Sequence, residues 1–393
     1  MHKLRILIAG ASIAGPVAAY WLANAGHAVT VVDLSKGLRD GGNGVDVREQ
    51  AVPVIERMGL MEKVAAGSLD TKGFKFETRR GSAPIVVNLR ALQAKVSYQD
   101  FEIPRGDLAR IIYDATVDAV AYRFGVAIVE LEQDDAKVRV RFTDGSHGEY
   151  DLVIAADGLH SGTRRIVFGP EAEHVHFRNF YFGFGSAASA LGEEGWARFY
   201  NKPGRSLSVQ AFGERGDQVH FMFRAAQPIA YDYRDIDAQR DIVRKAFADG
   251  GWFPPALLSA IDAEDFYFDS ISQTKMASWH KGRVVVVGDA AYCASPASGA
   301  GALLAITGAY RLAGAIAQNP DNLTAAFQLY QESQQPLVAQ KQKGLFTGIT
   351  VPSSAFTIWL RNIVLSSPMA RMLSGVAPKN VPALEEYDFG WVG

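Results

Sequence analysis

The sequence contains a single cysteine, Cys293, among 393 residues. One thiol excludes an intramolecular disulfide and any metal site built from several cysteines. Because structural disulfides accompany oxidising compartments, this composition favours a protein of the reducing cytoplasm. Nothing adjacent to Cys293 in the sequence indicates an activated thiol, so we expect a small packing residue there.

Strong charge of either sign is also absent. The chain has 40 Lys and Arg residues against 42 Asp and Glu residues, a formal net charge of −2. The sequence has no basic run and no stripe of interleaved basic and aromatic residues. This balance gives no general affinity for nucleic acid or for an anionic membrane surface, so we predict no nucleic-acid partner.

Long hydrophobic runs are missing as well. The apolar run near the first residue is short and stops at a glycine-rich turn, so we interpret it as a strand and not as a signal peptide. The longest apolar stretch, Gly344–Leu365, is interrupted by Pro352 and contains Arg361, so we predict no membrane span. We predict a packed helix that breaks at Pro352. A lid over a ligand site and a peripheral membrane contact are the alternatives.

The first part of the chain predicts a β-α-β unit. Leu4–Ala9 is a short apolar strand, and Ile13–Ala25 has helical spacing and strong helix formers. Ala28–Asp33 follows as a second buried strand. Such a unit implies parallel strands joined by a right-handed crossover.

The turn inside this unit reads GASIAG, from Gly10 to Gly15. In dinucleotide-binding turns the first glycine makes the tight turn, the second admits the pyrophosphate and the third packs helix on strand. Serine replaces the middle glycine here, a mild departure because serine is small and its hydroxyl can meet a phosphate. An acid ends the next strand, where it can bind a ribose diol. We therefore predict nucleotide contacts from Gly10, Ser12, Ala14, Gly15 and Asp33, a pattern that does not distinguish FAD from NAD.

Further along, the chain alternates between helical and strand patterns. Aromatic residues and strict alternation from about Val175 to Ala225 indicate antiparallel sheet, which interrupts the first unit. The other predicted elements are helices at Gln50–Met58 and Asp107–Ala121, paired strands at Ala127–Glu132 and Lys137–Phe142, a buried strand within Asp151–Gly158, a helix in the stretch from Ile236 to Gly251, and a parallel-type strand at Arg283–Val287.

Three further stretches resemble one enzyme family. They are YDLVIAADGLHSGTRR (Tyr150–Arg165), FEIPRGDLARII (Phe101–Ile112) and the Gly-Asp segment GRVVVVGDAAYCASPASGAGALLAI (Gly282–Ile306). Together with GASIAG, in this order, they resemble the motifs of the single-component FAD monooxygenases of the para-hydroxybenzoate hydroxylase superfamily. The resemblance implies an α/β fold in which a Rossmann-type FAD-binding domain with a parallel sheet is interrupted by an antiparallel-sheet substrate domain and followed by a C-terminal helix.

The resemblance also implies domain boundaries. The FAD-binding domain would comprise residues 1–72, 98–174 and 275–343. The substrate-binding β-sheet domain would comprise residues 73–97 and 175–274, and residues 344–393 would form a C-terminal helical segment. The chain is too short for the thioredoxin-like third domain of phenol hydroxylase relatives.

Site residues follow from the same resemblance. Asp289 would bind a ribityl hydroxyl, Gly299 and Gly301 would point N–H groups at the flavin pyrimidine edge, and Pro296 would lie near the reactive edge of the ring. A helix start at this point supplies unpaired N–H donors and a positive dipole end, which suits an anionic reduced flavin. The remaining implied cofactor contacts are Asp46, Arg48, Arg105, Asp157, Gly158, Gly288, Ala300 and Ala302. A plain strand-end turn at Asp157–Gly158, a surface arginine at Arg105 and a solvated loop at Asp46–Arg48 are the competing interpretations.

The implied reaction is a hydroxylation. NADPH or NADH would reduce FAD, O₂ would add at the flavin C4a, and the resulting hydroperoxide would pass OH to an aromatic, phenolic or polycyclic substrate. The protein must then position the substrate and exclude water, and no side-chain acid or base is assigned. Phe182, Phe212, Phe221 and Phe223 are predicted to line the substrate pocket, although alternation along a strand buries about half of such residues in plain core.

Two positions depart from the family's usual residues, and both weaken any inference from the family to the specificity for substrate or electron donor. The family usually has histidine after Gly-Asp-Ala-Ala, where this chain has Tyr292, and Asp33-Leu34 replaces the usual glutamate and arginine. The Gly-Asp segment and the C-terminal apolar stretch are similar in arrangement to tetracycline-inactivating flavin monooxygenases. A flavin halogenase is disfavoured because no Trp-x-Trp-x-x-Pro segment occurs. A flavin reductase or dehydrogenase and a non-catalytic flavin-binding protein stay open as alternatives.

Overall fold

The computed structural model describes residues 3–38, 42–78, 82–89, 100–213, 216–295, 298–343, 347–367 and 383–390. The strands in these ranges are β1 (Arg5–Ala9), β2 (Ala28–Asp33), β3 (Gly44–Val47), β4 (Gly73–Phe76), β5 (Ile85–Asn88), β6 (Phe101–Pro104), β7 (Ala121–Phe124), β8 (Ile128–Gln133), β9 (Val138–Phe142), β10 (His147–Tyr150), β11 (Leu152–Ala155), β12 (Val175–Ala187), β13 (Trp196–Lys202), β14 (Arg205–Ala211), β15 (Asp217–Arg224), β16 (Tyr267–Thr274), β17 (His280–Lys281) and β18 (Val284–Val286).

Helices lie between these strands and follow them. In the described ranges the 3₁₀ helices Glu171–Glu173 and Pro255–Asp262 accompany the α-helices. The α-helices are Ala14–Asn24, Ala51–Arg57, Met61–Ala66, Arg105–Asp114, Gly162–Phe168, Ile236–Phe247, Asp289–Tyr292, Gly301–Gln318, Leu323–Lys343, Thr347–Thr350 and Ala355–Ser366.

The first layer is a six-stranded sheet in the order β17-β18-β11-β1-β2-β7. All of its pairs are parallel except β17 with β18. β1 is fully buried after its first residue because helices pack on one face and the three-stranded sheet β10-β9-β8 lies near the other. The predicted β-α-β unit is therefore confirmed, and its turn lies at the carboxyl end of central strands, where α/β sheets bind ligands.

The second layer is a seven-stranded sheet in the order β16-β12-β15-β14-β13-β4-β5. It is antiparallel except for the pair β13 and β4. The helix Ile236–Phe247 and the 3₁₀ helix Pro255–Asp262 cover one face, where Phe221, Phe247 and Leu257 form a buried cluster. The expected fold class, a parallel sheet interrupted by an antiparallel one, is confirmed.

The predicted helix Asp107–Ala121 is wrong at its end. The observed helix runs over Arg105–Asp114, and Ala121–Phe124 is strand β7, which pairs with β2. The Thr116 hydroxyl donates to the carbonyls of Ile112 and Tyr113, a bond that closes the last helical turn. Pairing with the exposed edge of β2 then outweighs the helical preference of the following residues.

The C-terminal apolar stretch breaks at Pro352 as predicted, between the helices Thr347–Thr350 and Ala355–Ser366. The prediction of a packed helix is only partly right. The second helix begins at a capping box of Ser354 and Thr357 and buries Arg361, whose guanidinium lies 4.2 Å from the Phe76 ring centroid. Its apolar side faces outward at Phe356, Trp359, Leu360 and Ile363. In the described part of the chain no helix combines the length and the apolar character that crossing a bilayer requires.

Residues 383–390 return to the first layer. The Glu385 carboxylate accepts from the buried guanidinium of Arg311 at 2.9 Å and 3.1 Å. Phe389 is 2 % exposed and stacks on Trp21 with ring centroids 4.7 Å apart. Tyr387 covers Gly314, where an added Cβ would lie 2.2 Å from the tyrosine ring. Gly314, in the helix Gly301–Gln318, thus leaves space for residues 383–390.

Replacing Phe389 with alanine is expected to release residues 383–390 without unfolding the sheets. Loss of the buried ring costs about 3 kcal/mol, which corresponds to amide hydrogen exchange about 100-fold faster in this segment. Mass spectrometry of the exchanging peptides measures the effect. Glu386→Gln is the control because the Glu386 side chain is 90 % exposed. Equal exchange in the two variants would show that the ring does not hold the segment.

Candidate functional site

Two glycine turns meet at the end of the parallel sheet. Gly10 has a φ of 110°, and an added Cβ would lie 2.2 Å from the carbonyl oxygen of Ala156. An added Cβ on Gly15 would lie 1.9 Å from the carbonyl oxygen of Gly10. Gly288, at a φ of 65°, faces Ala14, where an added Cβ would come within 3.1 Å of the alanine methyl. The predicted contacts of the first turn and of the late Gly-Asp segment are thus brought together.

Asp33 and Arg105 both hold the first turn. Asp33 accepts from the N–H of Ala11 at 2.8 Å and from the N–H of Ser35 at 2.8 Å. Arg105 donates to the Ser12 hydroxyl at 3.0 Å. Asp33 Oδ1 also accepts from the Ser35 hydroxyl at 2.6 Å, so Oδ2 is the oxygen that keeps a second lone pair for a ribose hydroxyl. Ser12 keeps its own proton for an acceptor. The geometry brings Arg105 to the turn and leaves it partly exposed.

The loop of Asp46 and Arg48 reaches the late turn. Arg48 donates to the carbonyl of Ser298 at 3.2 Å and lies 3.6 Å from Asp46. A Cβ on Gly299 would lie 3.0 Å from the Asp46 carboxylate, so the glycine permits this approach. Burial raises the pKa of Asp46, and the charge of Arg48 opposes the shift. Among the described residues the buried Nε of Arg48 has no hydrogen-bond partner, so it is available to an acceptor on a ligand.

Asp289 begins a short helix directly after Gly288. Burial raises its carboxyl pKa, and the charge of Arg105 acts against this. The Thr274 hydroxyl donates to the Asp289 carbonyl at 2.8 Å, which ties the segment to strand β16. The side chain thus lies between the two layers, where it is within electrostatic reach of Arg105.

Asp157 and Gly158 form the third loop at this edge. The Asp157 carboxylate accepts from the Ser161 hydroxyl and from the N–H of Thr163 at 2.9 Å, so both oxygens serve their own loop. Gly158 has a φ of 82°, and a Cβ there would meet no atom within 4 Å. Contact with a ligand is therefore open to the backbone of Gly158, while Asp157 shapes the loop.

These features fit a flavin dinucleotide. Among the described residues no side chain caps the helix starts at Ala14 and Gly301, so their first N–H groups and positive dipole ends are available to phosphate and to a ring carbonyl. Ala300 and Ala302 are buried at the start of the late helix. Pro296, the residue predicted nearest the reactive edge, lies outside the described residues.

One face of the seven-stranded sheet turns toward this site. Phe182 stacks on His220 with ring centroids 5.6 Å apart, and Phe184 stacks on Tyr267 at 5.3 Å. Burial raises the pKa of Tyr267, the charge of Asp269 raises it further, and the charge of Arg105 opposes the rise, so Tyr267 is within electrostatic reach of Arg105. Burial lowers the pKa of His220 to about 4, so its imidazole is neutral at pH 7.

Two of the four predicted pocket phenylalanines are not brought to this face. Phe221 and Phe223 belong to the buried cluster beneath the helix Ile236–Phe247, and the Phe221 and Phe247 ring centroids are 5.3 Å apart. Alternation along β15 places them on the face opposite His220, so the prediction that they line the substrate pocket is not supported by their position. Phe212 is buried just after β14, and Phe182 is half-buried on the site face.

Three residues of this region are not predicted from the sequence. His160 and Arg164 follow Gly158 in the same motif, and His220 alternates with the phenylalanines of β15. Arg164 is fully buried and donates to the carbonyl of Ala290 at 2.9 Å. His160 contacts Asp269, 109 residues away. The presence of His160 and Arg164 in a motif that contains Gly158 and Gly162 was the available indication of a role in the site, but the partners of both residues are distant in the sequence.

Comparison with known proteins gives consistent results. The family profile described as "FAD binding domain" matches residues 3–322. A flavin-dependent monooxygenase from an unknown prokaryotic organism is 36 % identical over 368 residues, which are 93 % of this chain and 91 % of the relative. The match covers both sheets.

Solved structures extend the comparison. The crystal structure of tetracycline destructase Tet(55) superimposes with a TM-score of 0.80 at 34 % identity and covers 98 % of this chain and 99 % of its own. Klebsiella pneumoniae HpxO, crystallised with FAD and uric acid, has a TM-score of 0.69 at 23 % identity, with 95 % and 97 % of the two chains covered. The second likeness supports the fold alone.

Proposed function

Because this chain belongs to the FAD binding domain family and to the flavin-dependent monooxygenases within it, we propose that it uses FAD, NADPH or NADH, and O₂ to hydroxylate an aromatic, phenolic or polycyclic small molecule. The observation that supports this most directly is the meeting of the early turn at Ala14 with the late turn at Gly288, because one dinucleotide cofactor spans both. The single cysteine fits our proposal that the protein works in the cytoplasm.

The chain's own residues have distinct proposed roles in holding FAD. Ser12 and the N–H groups at the start of helix Ala14–Asn24 hold the phosphates, and Asp33 binds the adenosine ribose. Asp289 accepts from a ribityl hydroxyl, and the N–H groups of Gly299, Gly301 and Ala302 face the ring, while the N–H of Ala300 donates to the Ser298 hydroxyl. The unpartnered Nε of Arg48 donates to the same cofactor. When bound, FAD supplies the electron transfer from the nicotinamide and the activation of O₂.

The substrate is proposed to lie between this cofactor and the site face of the seven-stranded sheet. Phe182 and Phe184 offer aromatic surface, and His220 offers a neutral hydrogen-bonding group. Because His220 and Gln218 bond to each other at 3.0 Å and neither is charged at pH 7, this wall suits a neutral polar aromatic molecule. The likeness to a tetracycline destructase makes polycyclic phenols the first compounds to test.

We also propose that the predicted domain division holds in solution. Residues 1–72, 98–174 and 275–343 would bind FAD, residues 73–97 and 175–274 would bind substrate, and residues 344–393 would complete the C-terminal part. The pairing of β4 with β13, and of β5 with β4, supports placing the early insertion with the second sheet.

The test is a reconstitution followed by a turnover assay. The purified chain, incubated with FAD and freed of excess by gel filtration, is expected to stay yellow. NADPH and NADH oxidation is then followed in air with a panel of phenols and tetracyclines. We expect one compound class to accelerate oxidation and to yield a product that is one oxygen atom heavier by mass spectrometry.

Each alternative predicts a different result. A reductase would oxidise NADPH without placing oxygen in any product, and a flavin-binding protein would keep its FAD oxidised in the presence of either nicotinamide. A chain that stays colourless with excess FAD would overturn the proposal at its first step.

A further inference from the structure

His160 lies at a junction that the proposed FAD contacts do not include. It follows Gly158 in the loop after β11, and its Nδ1 is 2.9 Å from a carboxylate oxygen of Glu171. Its Nε2 is 3.0 Å from a carboxylate oxygen of Asp269 in β16. The Tyr233 ring stacks on the imidazole with centroids 4.7 Å apart and planes 8° apart. Three separate segments of the chain therefore contact the side chain of His160.

The charges at this junction are complementary. Burial lowers the pKa of His160, but the hydrogen bonds and negative charges of Asp269 and Glu171 outweigh this and raise it to about 10. Burial opposes a fall in the pKa of Glu171, yet the hydrogen bond from His160 brings it below the usual value. At pH 7 an imidazolium therefore lies between two carboxylates.

The other groups around His160 belong to the same arrangement. Tyr267 donates to Asp269 at 3.1 Å, and the buried guanidinium of Arg164 lies 3.6 Å from Glu171. Tyr231 also bonds to Asp269, and burial raises its pKa. Among the described residues, the titratable and charged groups that contact the imidazole or its carboxylate partners include Glu171, Asp269, Tyr231, Tyr233, Tyr267 and Arg164, and the charge of Arg165 also acts on Glu171.

This junction joins the two parts of the proposed active site. Asp269 lies directly across from Phe182 in the pairing of β16 with β12. On the other side Arg164 donates to the carbonyl of Ala290, the residue after Asp289. The Thr274 hydroxyl donates to the Asp289 carbonyl, so β16 contacts the Asp289 segment as well as His160. A change at His160 therefore alters the spacing between the Asp157–Gly158 loop and the sheet face that carries Phe182.

We propose that His160 is a positioning residue that holds the Asp157–Gly158 loop against β16 and thereby sets the distance between FAD and the substrate wall. The inference rests on the proposed function. His160 touches neither reactant in this arrangement and acts through Asp269 and Glu171. Because the sheet face would be held at the proper distance only while this contact is intact, its loss separates cofactor reduction from hydroxylation.

The experiment compares His160→Gln with His147→Gln, the same change at an exposed histidine. Both variants are reconstituted with FAD and assayed with NADPH and the phenols and tetracyclines of the turnover panel. His160→Gln is expected to oxidise NADPH within about twofold of the parent rate while the fraction of product relative to hydrogen peroxide falls about tenfold. A merely structural role would lower both in step, and unchanged coupling in His160→Gln would overturn the proposal.

A second measurement needs neither substrate nor FAD. A histidine whose folded pKa exceeds its unfolded value stabilises the chain fully below the unfolded pKa, near 6.5, and this contribution is lost as the pH rises through about 10. The urea midpoint of the parent chain should therefore fall between pH 7 and pH 10, and it should fall less in His160→Gln. If that variant does not fold, Asp269→Asn replaces it, because the imidazolium then loses one carboxylate.

The two proposals fail in different ways. If the chain bound no FAD, the proposed function would be wrong, and the comparison of urea midpoints would still test the junction at His160. An equal fall of the urea midpoint in the parent, His147→Gln and His160→Gln would sink the positioning role, whatever the chain does with FAD.

Discussion

Gly15→Ala is expected to lower the affinity for FAD by about 100-fold. The added methyl would lie 1.9 Å from the carbonyl oxygen of Gly10, a backbone atom that has no alternative rotamer. To relieve the overlap, the turn must open and the start of helix Ala14–Asn24 must move away from the proposed phosphate position. Such overpacking costs about 3 kcal/mol, which is about 100-fold in a dissociation constant. Fluorescence titration of the purified variant with FAD measures it.

Gly37→Ala is the matched control. Gly37 has no atom within 4 Å of an added Cβ, so the same chemical change meets open space. We expect its FAD affinity to stay within about twofold of the parent value, because a surface substitution without contacts changes little. Parent-like affinity in Gly15→Ala would mean that the first turn does not hold the cofactor, and the proposed function would lose its adenosine end.

The parallel sheet was predictable because its determinants are local. β1 and β2 are continuous apolar runs, and the turn between them needs glycine for steric reasons that the spacing alone reveals. β11 and β18 are likewise followed, one residue later, by Asp-Gly and Gly-Asp pairs. Each of these features occupies fewer than about ten residues, so no knowledge of distant partners was required.

The residues of the substrate wall were harder to predict. Apolar-polar alternation shows that a strand has two different faces, but it does not show which face points toward the site. Phe182, Phe221 and Phe223 all sit in strands with an apolar-polar rhythm. Only the packing of helix Ile236–Phe247 decides that Phe221 and Phe223 face away from the site, and that helix comes later in the chain. The strands β3, β6 and β7 were missed for a similar reason, since each is only four residues long and pairs with a strand that is distant in the sequence.

Buried charge was the least accessible feature. Arg164 and His160 read as ordinary polar residues of a loop, and their partners Ala290 and Asp269 lie more than 100 residues away. A charged side chain is buried only where other groups of the protein pair with it. Because these groups are distant in the sequence here, the local pattern does not predict the burial. The sequence therefore predicted the motif loops of the candidate site but not the contacts that hold them to one another.

Arg164→Met is expected to lower the free energy of unfolding by about 3–5 kcal/mol. The Arg164 side chain is fully buried, and burial lowers its pKa. It donates to the carbonyl of Leu159 at 2.6 Å and to the carbonyl of Ala290 at 2.9 Å. Methionine fills the volume but leaves the carbonyls of Leu159 and Ala290 without this donor and removes the 3.6 Å ion pair with Glu171. Urea unfolding at pH 7, followed by circular dichroism, measures the loss.

Arg165→Met separates this effect from a general loss of positive charge. Arg165 is the next residue in the same helix and is exposed, so its replacement should change the free energy of unfolding by less than about 0.5 kcal/mol. The difference between the variants isolates the buried contacts that join the Asp157–Gly158 loop to the Asp289 segment. Were both replacements equally mild, the two loops would be held together by backbone packing alone, and Arg164 would have no part in keeping the cofactor motifs in register.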